Sequence, residues 1–351
     1  MSYIVAVKTS FPKNSESQDN IAKLLTSIWP DKEKHIYQFS KSSTVNKRHL
    51  TLPLSEYPTL GDIGERSLKW LDEAVNLQKN NILYLQENLN FNLDEISLIA
   101  STTVTGLAVP TLEARLMNVL SFSPNTKRLP IFGLGCLGGV AGLNRVKDYL
   151  DGHPREAALL LATELCSLTF QFKDISVANL VGTSLFADGA AAVLMVGKDH
   201  RLAKSAQFEI IDTRSFFYSD TERMMGWDIV SSGFQIVLSG DVPKLVSEKV
   251  AVNMNEFLNL NKLKRNDISF FISHPGGPKV LEAITEISGG NKEDFKISWD
   301  SLAEKGNMSS VSVLHVMEET LNKKIPVQNS LGLMLAMGPA FCSEMNIIRK
   351  L

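Results

Sequence analysis

The chain has 351 residues, a hydrophobic fraction of 44% and a formal net charge of −2 at pH 7. This length suits two fused units rather than one small core. The near-neutral charge argues against a protein that binds nucleic-acid phosphates, and no apolar run reaches transmembrane length. The three cysteines are widely spaced, which fits neither a disulfide framework nor a zinc site. The apolar start does not look like a signal peptide, so we expect a cytoplasmic protein.

Apolar strand patterns alternate with helical patterns along the chain, which indicates an α/β fold. The expected strands are Tyr3–Lys8, Ile96–Thr103, Arg128–Gly133, Glu156–Ala162, Ala190–Gly197, Phe208–Thr213, Asp267–Ser273 and Met345–Arg349. The expected helices are Ile63–Leu77, Thr111–Leu120, Leu137–Asp151, Pro243–Leu258, Pro278–Ile287 and Ser309–Asn322. The polar segment from about residue 200 to residue 240 is the expected seam between an N-terminal half, 1–200, and a C-terminal half, 201–351.

Cys136 lies between the strand pattern that ends at Gly133 and the helical pattern that begins at Leu137. The thiol is therefore expected on a strand-to-helix turn, at the positive end of a helix, where the pKa of a thiol is lowered. Glycines on both sides would let another molecule approach the backbone closely. The pattern predicts a nucleophilic cysteine.

Two other polar residues stand beside glycines at the ends of predicted elements. His274 follows an apolar strand and precedes Pro275–Gly277, and Asn307 follows Gly306 just before a helix. A strand-end histidine is often structural, and an asparagine at a helix start is often an N-cap. As a set with Cys136 they fit a different chemistry.

In that chemistry the Cys136 thiolate attacks a thioester and keeps the acyl group, while His274 stabilises the thiolate as an ion pair. Imidazole and carboxamide N–H groups can then hold an enolate oxygen that forms during decarboxylation. The three residues therefore predict a decarboxylative condensation that needs no separate carboxylate base.

With these residues in place, the chain resembles the type III polyketide synthases, the chalcone and stilbene synthase family, and is most similar to bacterial alkylpyrone synthases. The resemblance covers nearly the whole chain. It is carried by Thr105–Gly106, Val109–Pro110, Gly135–Cys136, Glu164–Phe170, Asn179–Ala192, Met225–Asp228, Asp241–Pro243, His274–Gly277, Gly306–Ser310 and Gly338–Pro339. It implies a thiolase-like fold, in which two similar α/β halves form a five-layer αβαβα architecture, and a homodimer. It also implies CoA thioesters as substrates and no metal or redox cofactor.

The resemblance assigns roles to particular residues. Cys136 is the implied nucleophile, assisted by His274 and Asn307, and Phe186 matches an aromatic gatekeeper between a CoA tunnel and the cavity. Val109 matches a position that reaches across the dimer interface. Cavity and substrate contacts are expected from Glu164, Cys166, Thr169, Gly277, Ser309, Met337, Gly338 and Pro339. Two of these roles have structural alternatives, because Phe186 also fits a plain core position and Cys166 a small buried hydrophobe.

Some positions depart from the plant pattern. In the plant enzymes of the family a phenylalanine forms a second gatekeeper. Counting back from Asp241 places Ile236 at that position, and Phe234 lies two residues earlier on the same strand face. An aliphatic residue there suits an alkyl starter. Basic contacts to CoA phosphates are poorly matched, and the candidates are Lys41, Arg48 and Lys279.

The expected function is a polyketide synthase that loads a medium- or long-chain acyl-CoA on Cys136 and extends it with malonyl-CoA. An α-pyrone is the expected product, with a resorcinol as an alternative. A β-ketoacyl carrier-protein synthase III would use the same three residues. A papain-like hydrolase has the same residue order but a Cys-Gly-Ser-Cys-Trp motif that is absent here. A non-catalytic scaffold would have no use for a thiol at a helix start.

Overall fold

The computed structural model describes residues 1–351, with strands and α-helices in the following order. The strands are β1 (Ser2–Ser10), β2 (Asn14–Ser17), β3 (Lys47–Leu50), β4 (Ile96–Thr103), β5 (Lys127–Phe132), β6 (Ala157–Leu165), β7 (Asp188–Gly197), β8 (Phe208–Phe217), β9 (Met225–Val230), β10 (Gly233–Leu238), β11 (Ile268–Ser273), β12 (Leu331–Gly338) and β13 (Cys342–Lys350). The helices are α1 (Gln18–Ile28), α2 (Glu33–Ser42), α3 (Ile63–Leu89), α4 (Leu112–Val119), α5 (Gly138–Gly152), α6 (Val177–Leu185), α7 (Val242–Leu245), α8 (Ala251–Leu260), α9 (Pro278–Ile287), α10 (Lys296–Lys305) and α11 (Ser310–Asn322).

Nine strands form one mixed sheet in the order β11-β12-β13-β8-β1-β7-β6-β4-β5. In the N-terminal part β5, β4 and β6 are parallel, and β7 runs antiparallel to both β6 and β1. The C-terminal part repeats this arrangement, because β11 and β12 are parallel and β13 is antiparallel to both β12 and β8. The two parts are joined by antiparallel pairing of β1 with β8. The molecule thus consists of two similar α/β halves, of which the second lacks one edge strand.

Helices α5 and α11 lie between the two halves of the sheet. Their apolar side chains form one buried cluster with residues from both halves, including Val140 and Leu143 of α5 and Val313 and Leu314 of α11. A second cluster packs α1, α3 and α4 on the outer face of the N-terminal half, and a third packs α8 and α9 on the C-terminal half. This gives the five layers of the expected thiolase-like fold. No helix is both long and apolar enough to cross a membrane.

All the expected strands and helices are present. Two of them, β4 and α9, have the expected bounds, and the others have shifted ends. Several elements were not predicted. The strand β12 is buried through almost its whole length, so its sequence is continuously apolar and does not alternate. The expected seam, residues 200–240, holds β8 and the β9–β10 hairpin. One helix was expected from Pro243 to Leu258. The structure has three successive elements there, namely α7, a π-helical turn over Val246–Val250, and α8. The other unpredicted elements are β2, β3, α1, α2, α6 and α10.

Candidate active site

Cys136 sits on a tight turn between β5 and α5. A 3₁₀ turn over Gly135–Leu137 carries it, and α5 begins at Gly138. Gly135 has a φ of +50°, and a Cβ atom there would lie 2.7 Å from Cδ of Pro339. Only glycine fits this position, because the backbone is left-handed and the neighbouring proline is in contact. The predicted strand–thiol–helix arrangement is present.

Asn307 occupies the corresponding place before α11, the other central helix. Its Oδ1 accepts a hydrogen bond from the backbone N–H of Ser309 (2.8 Å), and its Nδ2 donates to the carbonyl of Gly276 (3.0 Å). Ser309, with a φ of +49°, is the N-cap residue of α11. Asn307 is therefore not the helix cap, and its amide is oriented by two backbone contacts with one Nδ2 proton left over.

His274 follows the last residue of β11, and its backbone N–H donates to the carbonyl of Leu335 (2.9 Å). Both ring nitrogens are buried and have no hydrogen-bond partner. A structural histidine at this depth would have its nitrogens hydrogen-bonded, because leaving them unpaired is costly. Both ring nitrogens are therefore available to bind a ligand or to accept a proton.

These three side chains line one cavity of about 620 Å³, called the main cavity. It also includes seven other residues expected from the sequence: Phe186, Ile236, Gly277, Lys279, Ser309, Met337 and Pro339. The three elements that carry Cys136, His274 and Asn307 come from both halves of the chain, so the site exists only when the two halves are packed together.

The electrostatics of the pair Cys136 and His274 differ from the expectation. Burial raises the pKa of the Cys136 thiol to about 12, with a further contribution from Glu164, and the hydrogen-bonding groups of Ser309 and Asn307 offset only part of the rise. Burial likewise lowers the pKa of His274 to about 3. Both shifts favour a neutral thiol and a neutral imidazole in the free site over the expected ion pair. Burial is the largest cause in each case, because it penalises the charged form.

Glu164 was expected in the cavity wall, but it does not line the main cavity. It lies behind the nucleophile at the end of β6, with no exposed surface. Its Oε2 accepts hydrogen bonds from the N–H of Val104 (3.1 Å) and the hydroxyl of Thr105 (2.9 Å), and its Oε1 accepts from Ser310 (2.7 Å). Burial raises its pKa to about 7. The carboxyl group thus ties the end of β4 to the first turn of α11.

Gly338 is also absent from the cavity wall, contrary to the expectation. A Cβ atom at this position would lie 2.5 Å from the carbonyl oxygen of Leu134 and 2.8 Å from a side-chain carbon of Leu137. The glycine lets β12 pack directly against the turn that carries Cys136. Its role in the structure is to support that turn, while Met337 and Pro339 on either side reach the cavity.

A smaller cavity of about 70 Å³, called the inner cavity, adjoins the main one. Phe186, Trp227 and Ile236 line both cavities, and we call these three residues the neck. The rings of Phe186 and Trp227 have centroids 5.9 Å apart. Cys166 and Thr169 line the inner cavity, as expected. No role was predicted for Trp227 from the sequence, although Met225–Asp228 is among the segments that carry the family resemblance.

The structure separates the two candidates for the second gatekeeper. Ile236 lines both cavities, whereas Phe234 lines neither of them and is only 4% exposed. The ring of Phe234 lies 6.4 Å from that of Phe132, between centroids. Only Ile236 is placed to act at the neck.

The basic candidates lie in three different environments. Lys279 is exposed and lines the main cavity at the start of α9. Lys41 is exposed on α2 but does not line the cavity, although its neighbours Phe39 and Ser42 do. Arg48 is only 3% exposed and donates from Nη1 to the carbonyl of Phe186 (2.7 Å). The expected contact of Arg48 with CoA phosphates is therefore wrong, because β3 turns this side chain inward to the inner cavity.

Val109, which is expected at the dimer interface, is 96% exposed and lines neither the main nor the inner cavity. No three histidine, cysteine, aspartate or glutamate side chains converge in a way that could hold a metal ion. Of the three basic side chains expected to contact CoA phosphates, only Lys279 lines the main cavity.

Known proteins share this sequence and fold. The profile of the N-terminal domain of chalcone and stilbene synthases matches residues 1–200, and that of their C-terminal domain matches residues 209–351. A 1,3,6,8-tetrahydroxynaphthalene synthase of Streptomyces peucetius subsp. caesius is 38% identical over 99% of this chain and 92% of that protein. A putative chalcone synthase of Bacillus subtilis (strain 168) is 34% identical over 98% of both chains.

The fold matches as well. The crystal structure of 1,3,6,8-tetrahydroxynaphthalene synthase from Streptomyces coelicolor A3(2) superimposes with a TM-score of 0.93 at 24% identity, covering 99% of both chains. The chain belongs to the chalcone and stilbene synthase family and is a type III polyketide synthase, an acyltransferase-type condensing enzyme.

Proposed function

We propose that this enzyme loads a medium- or long-chain fatty acyl group from CoA onto Cys136. It then extends that group with malonyl-CoA and releases an alkyl α-pyrone, or an alkylresorcinol. The observation that carries the proposal is the apolar wall of the inner cavity, formed by Ile21, Leu24, Leu25, Leu50 and Leu54. At about 70 Å³ this cavity receives the end of the alkyl chain, and the main cavity of about 620 Å³ receives the rest. Hydrocarbon chains gain free energy from burial against such a wall, by ~0.8 kcal/mol per methylene group.

Loading begins with transfer of the Cys136 proton to His274. Because burial penalises a lone charge, the two charges form together, and the thiolate attacks the thioester carbonyl as they form. The acyl group moves to Sγ, and the sulfur of CoA takes up the proton and departs. Lys279, which is exposed and lines the main cavity, would contact the phosphates of CoA. CoA thioesters are the only co-reactants in this scheme.

Extension uses His274 and Asn307. Malonyl-CoA loses CO2, and the electron pair of the broken C–C bond forms an enolate of acetyl-CoA. The unused Nδ2 proton of Asn307 and an N–H of His274 stabilise the enolate oxygen. The enolate carbon then attacks the acyl thioester on Cys136, forms the new C–C bond and expels the cysteine thiolate. The lengthened chain returns to Cys136 for another round.

A second candidate follows from the relatives named as 1,3,6,8-tetrahydroxynaphthalene synthases. Such an enzyme would build an oxygen-rich chain without an alkyl starter. The inner cavity offers polar groups to such a chain, namely those of Arg48, Tyr57, Ser167 and Thr169. This candidate predicts product from malonyl-CoA alone.

We also propose that the enzyme is a homodimer joined at β5. This strand is at the edge of the sheet, and it exposes Leu129 (37%) and Phe132 (47%). The unpaired edge of a sheet is a template for pairing with another chain. Light scattering on the purified protein tests this: a dimer that Phe132→Lys converts to monomer supports it, and a monomeric wild type excludes it.

The starter proposal is tested with purified enzyme, malonyl-CoA and a series of acyl-CoA starters from C2 to C16. We expect wild type to use C8 to C16 starters and Leu24→Trp, which fills the inner cavity, to accept only shorter ones. Leu260→Trp, at an exposed site on α8, is the matched control and should behave as wild type. If Leu24→Trp keeps the wild-type preference for starter chain length, the alkyl chain does not bind in the inner cavity.

A further inference from the structure

Arg48 carries hydrogen-bond donors that the protein does not use. Nη1 donates to the carbonyl of Phe186, but Nε and Nη2 are buried and have no partner. Burial lowers the pKa of Arg48 to about 10, so the guanidinium remains charged at neutral pH. A buried, charged group with unpaired donors is costly, since each unmade hydrogen bond leaves a desolvated N–H.

The carboxylate of Asp188, which acts on Arg48 through space, does not satisfy these donors. Asp188 is buried and accepts hydrogen bonds from the backbone N–H and hydroxyl of Thr51 and from the backbone N–H and hydroxyl of Ser167. It raises the pKa of Arg48 through space but makes no ion pair with it. The negative charge near Arg48 is thus already fully hydrogen-bonded to other groups, and the guanidinium still lacks a partner.

The position of Arg48 indicates where that partner lies. Its side chain lines the inner cavity together with Tyr57, Ser167 and Thr169. Nε and Nη2 form one edge of the guanidinium, the fork that binds an oxyanion through two parallel hydrogen bonds. Since Nη1 bonds the carbonyl of Phe186, the guanidinium is held next to that residue of the neck, in the wall of the inner cavity.

We propose that Arg48 binds an oxygen of the growing chain after the chain has passed the neck. The ligand chemistry is a carbon-bound oxygen with negative charge: an enolate oxygen of the poly-β-keto segment, or the carboxylate at the end of a chain primed by malonyl-CoA. Holding this oxygen fixes how far the chain has advanced and so controls the number of extensions. The proposal rests on the polyketide synthase function and on the inner cavity as the place of the chain.

The test compares Arg48→Lys with Arg66→Lys. Lysine can still bond the Phe186 carbonyl but loses the fork. Arg66 is likewise buried, donates to the carbonyls of Gly61, Leu168 and Phe170, and lines neither cavity. Each variant is assayed for acyl loading by intact mass, for CO2 release from malonyl-CoA, and for the ratio of full-length to truncated products.

We expect Arg48→Lys to load and decarboxylate like wild type, while the ratio of full-length to truncated products falls about tenfold or more, as loss of a charged hydrogen bond implies. Arg48→Gln, which removes the charge but keeps an amide donor, should give the same shift, and Arg66→Lys should not. An unchanged ratio in both Arg48 variants overturns the proposal. So does a loss of loading in proportion to the loss of product, because that would show a role only in positioning Phe186.

The substrate arms separate the two sources of the oxygen. If the product ratio of the Arg48 variants changes in reactions with acyl-CoA starters, Arg48 binds the enolate oxygens. If it changes only in reactions that contain malonyl-CoA and no other starter, Arg48 binds the terminal carboxylate. If wild type forms no product from acyl-CoA starters, the proposed starter class fails, whereas Arg48 is still judged on the products from malonyl-CoA.

Discussion

Phe186 and Asn307 are linked through their backbones. The N–H of Asn307 donates to the carbonyl of Leu185 (2.8 Å), and the N–H of Ala187 donates to the carbonyl of Asn307 (2.9 Å). Both bonds flank Phe186, so the aromatic residue of the neck and the amide at the reaction centre keep a fixed separation. The side chain of Phe186 takes no part in either bond.

Shortening Phe186 should therefore widen the neck without misplacing Asn307. We expect Phe186→Leu to decarboxylate malonyl-CoA within about threefold of wild type, less than ~1 kcal/mol in the barrier. It should also accept bulkier starters. Parallel assays of CO2 release and of starter range check this. A collapse of CO2 release in step with product formation would show that the side chain also supports the reaction centre.

Cys136→Ala should abolish acyl loading but retain release of CO2 from malonyl-CoA, because His274 and Asn307 remain. Intact-protein mass spectrometry after incubation with an acyl-CoA shows whether the acyl group is attached. Cys166→Ala, which changes a buried thiol of the inner cavity, is the control and should still load. Loading of Cys136→Ala would show that another residue is the nucleophile.

Asn307→Ala should lose condensation by about 100-fold or more, the usual effect of removing a donor to a developing oxyanion. Loading of Cys136 should continue, since the amide acts on the enolate. The two steps are separated by single-turnover loading and by steady-state product formation. Equal loss of both steps would indicate that the contact of Asn307 with Ser309 matters mainly for the local fold.

The reactivity of Cys136 should depend on pH as its raised pKa requires. Only the thiolate is alkylated, and far below a pKa of about 12 its fraction increases tenfold for each pH unit. The rate of inactivation by iodoacetamide should therefore rise without a plateau from pH 6 to pH 9. A plateau beginning near neutral pH would contradict the neutral pair and demonstrate a thiolate–imidazolium pair.

Glu164→Gln provides the internal comparison for this experiment. The negative charge of Glu164 contributes to the raised pKa of Cys136, so the variant should be alkylated several-fold faster at pH 8. Glutamine can keep the acceptor for Val104 and Thr105 while its amide donates to Ser310. Glu318→Gln, which changes a buried carboxylate outside both cavities, should leave the alkylation rate unchanged.

The sequence predicted the parts of this structure that local chemistry determines. The turn at Cys136 was predictable because glycines, a strand pattern and a helical pattern meet there. The strand end at His274 was predictable for the same reason. Helices α1 and α6 were missed, although each begins at a serine N-cap, Ser17 and Ser176, whose side chains accept from Asn20 and Asn179.

What long-range packing determines was not predictable. A basic side chain in a short polar strand looks exposed, yet β3 buries Arg48 against Phe186, 138 residues away. The pKa of Cys136 depends on how much water the fold excludes, which a helix start does not reveal. Whether Ile236 or Phe234 lies at the neck depends on how the β9–β10 hairpin packs, because two residues on one strand face can be covered by different neighbours.

The proposed reaction is tested most directly by mass spectrometry of the products that purified enzyme forms from malonyl-CoA and a series of acyl-CoA starters. We expect tri- and tetraketide pyrones or resorcinols that carry the alkyl chain of each C8 to C16 starter. Product from malonyl-CoA alone, with no incorporation of any acyl starter, would contradict the proposed starter class and favour a naphthalene-forming enzyme. Activity only with malonyl carrier protein would contradict the use of free CoA thioesters.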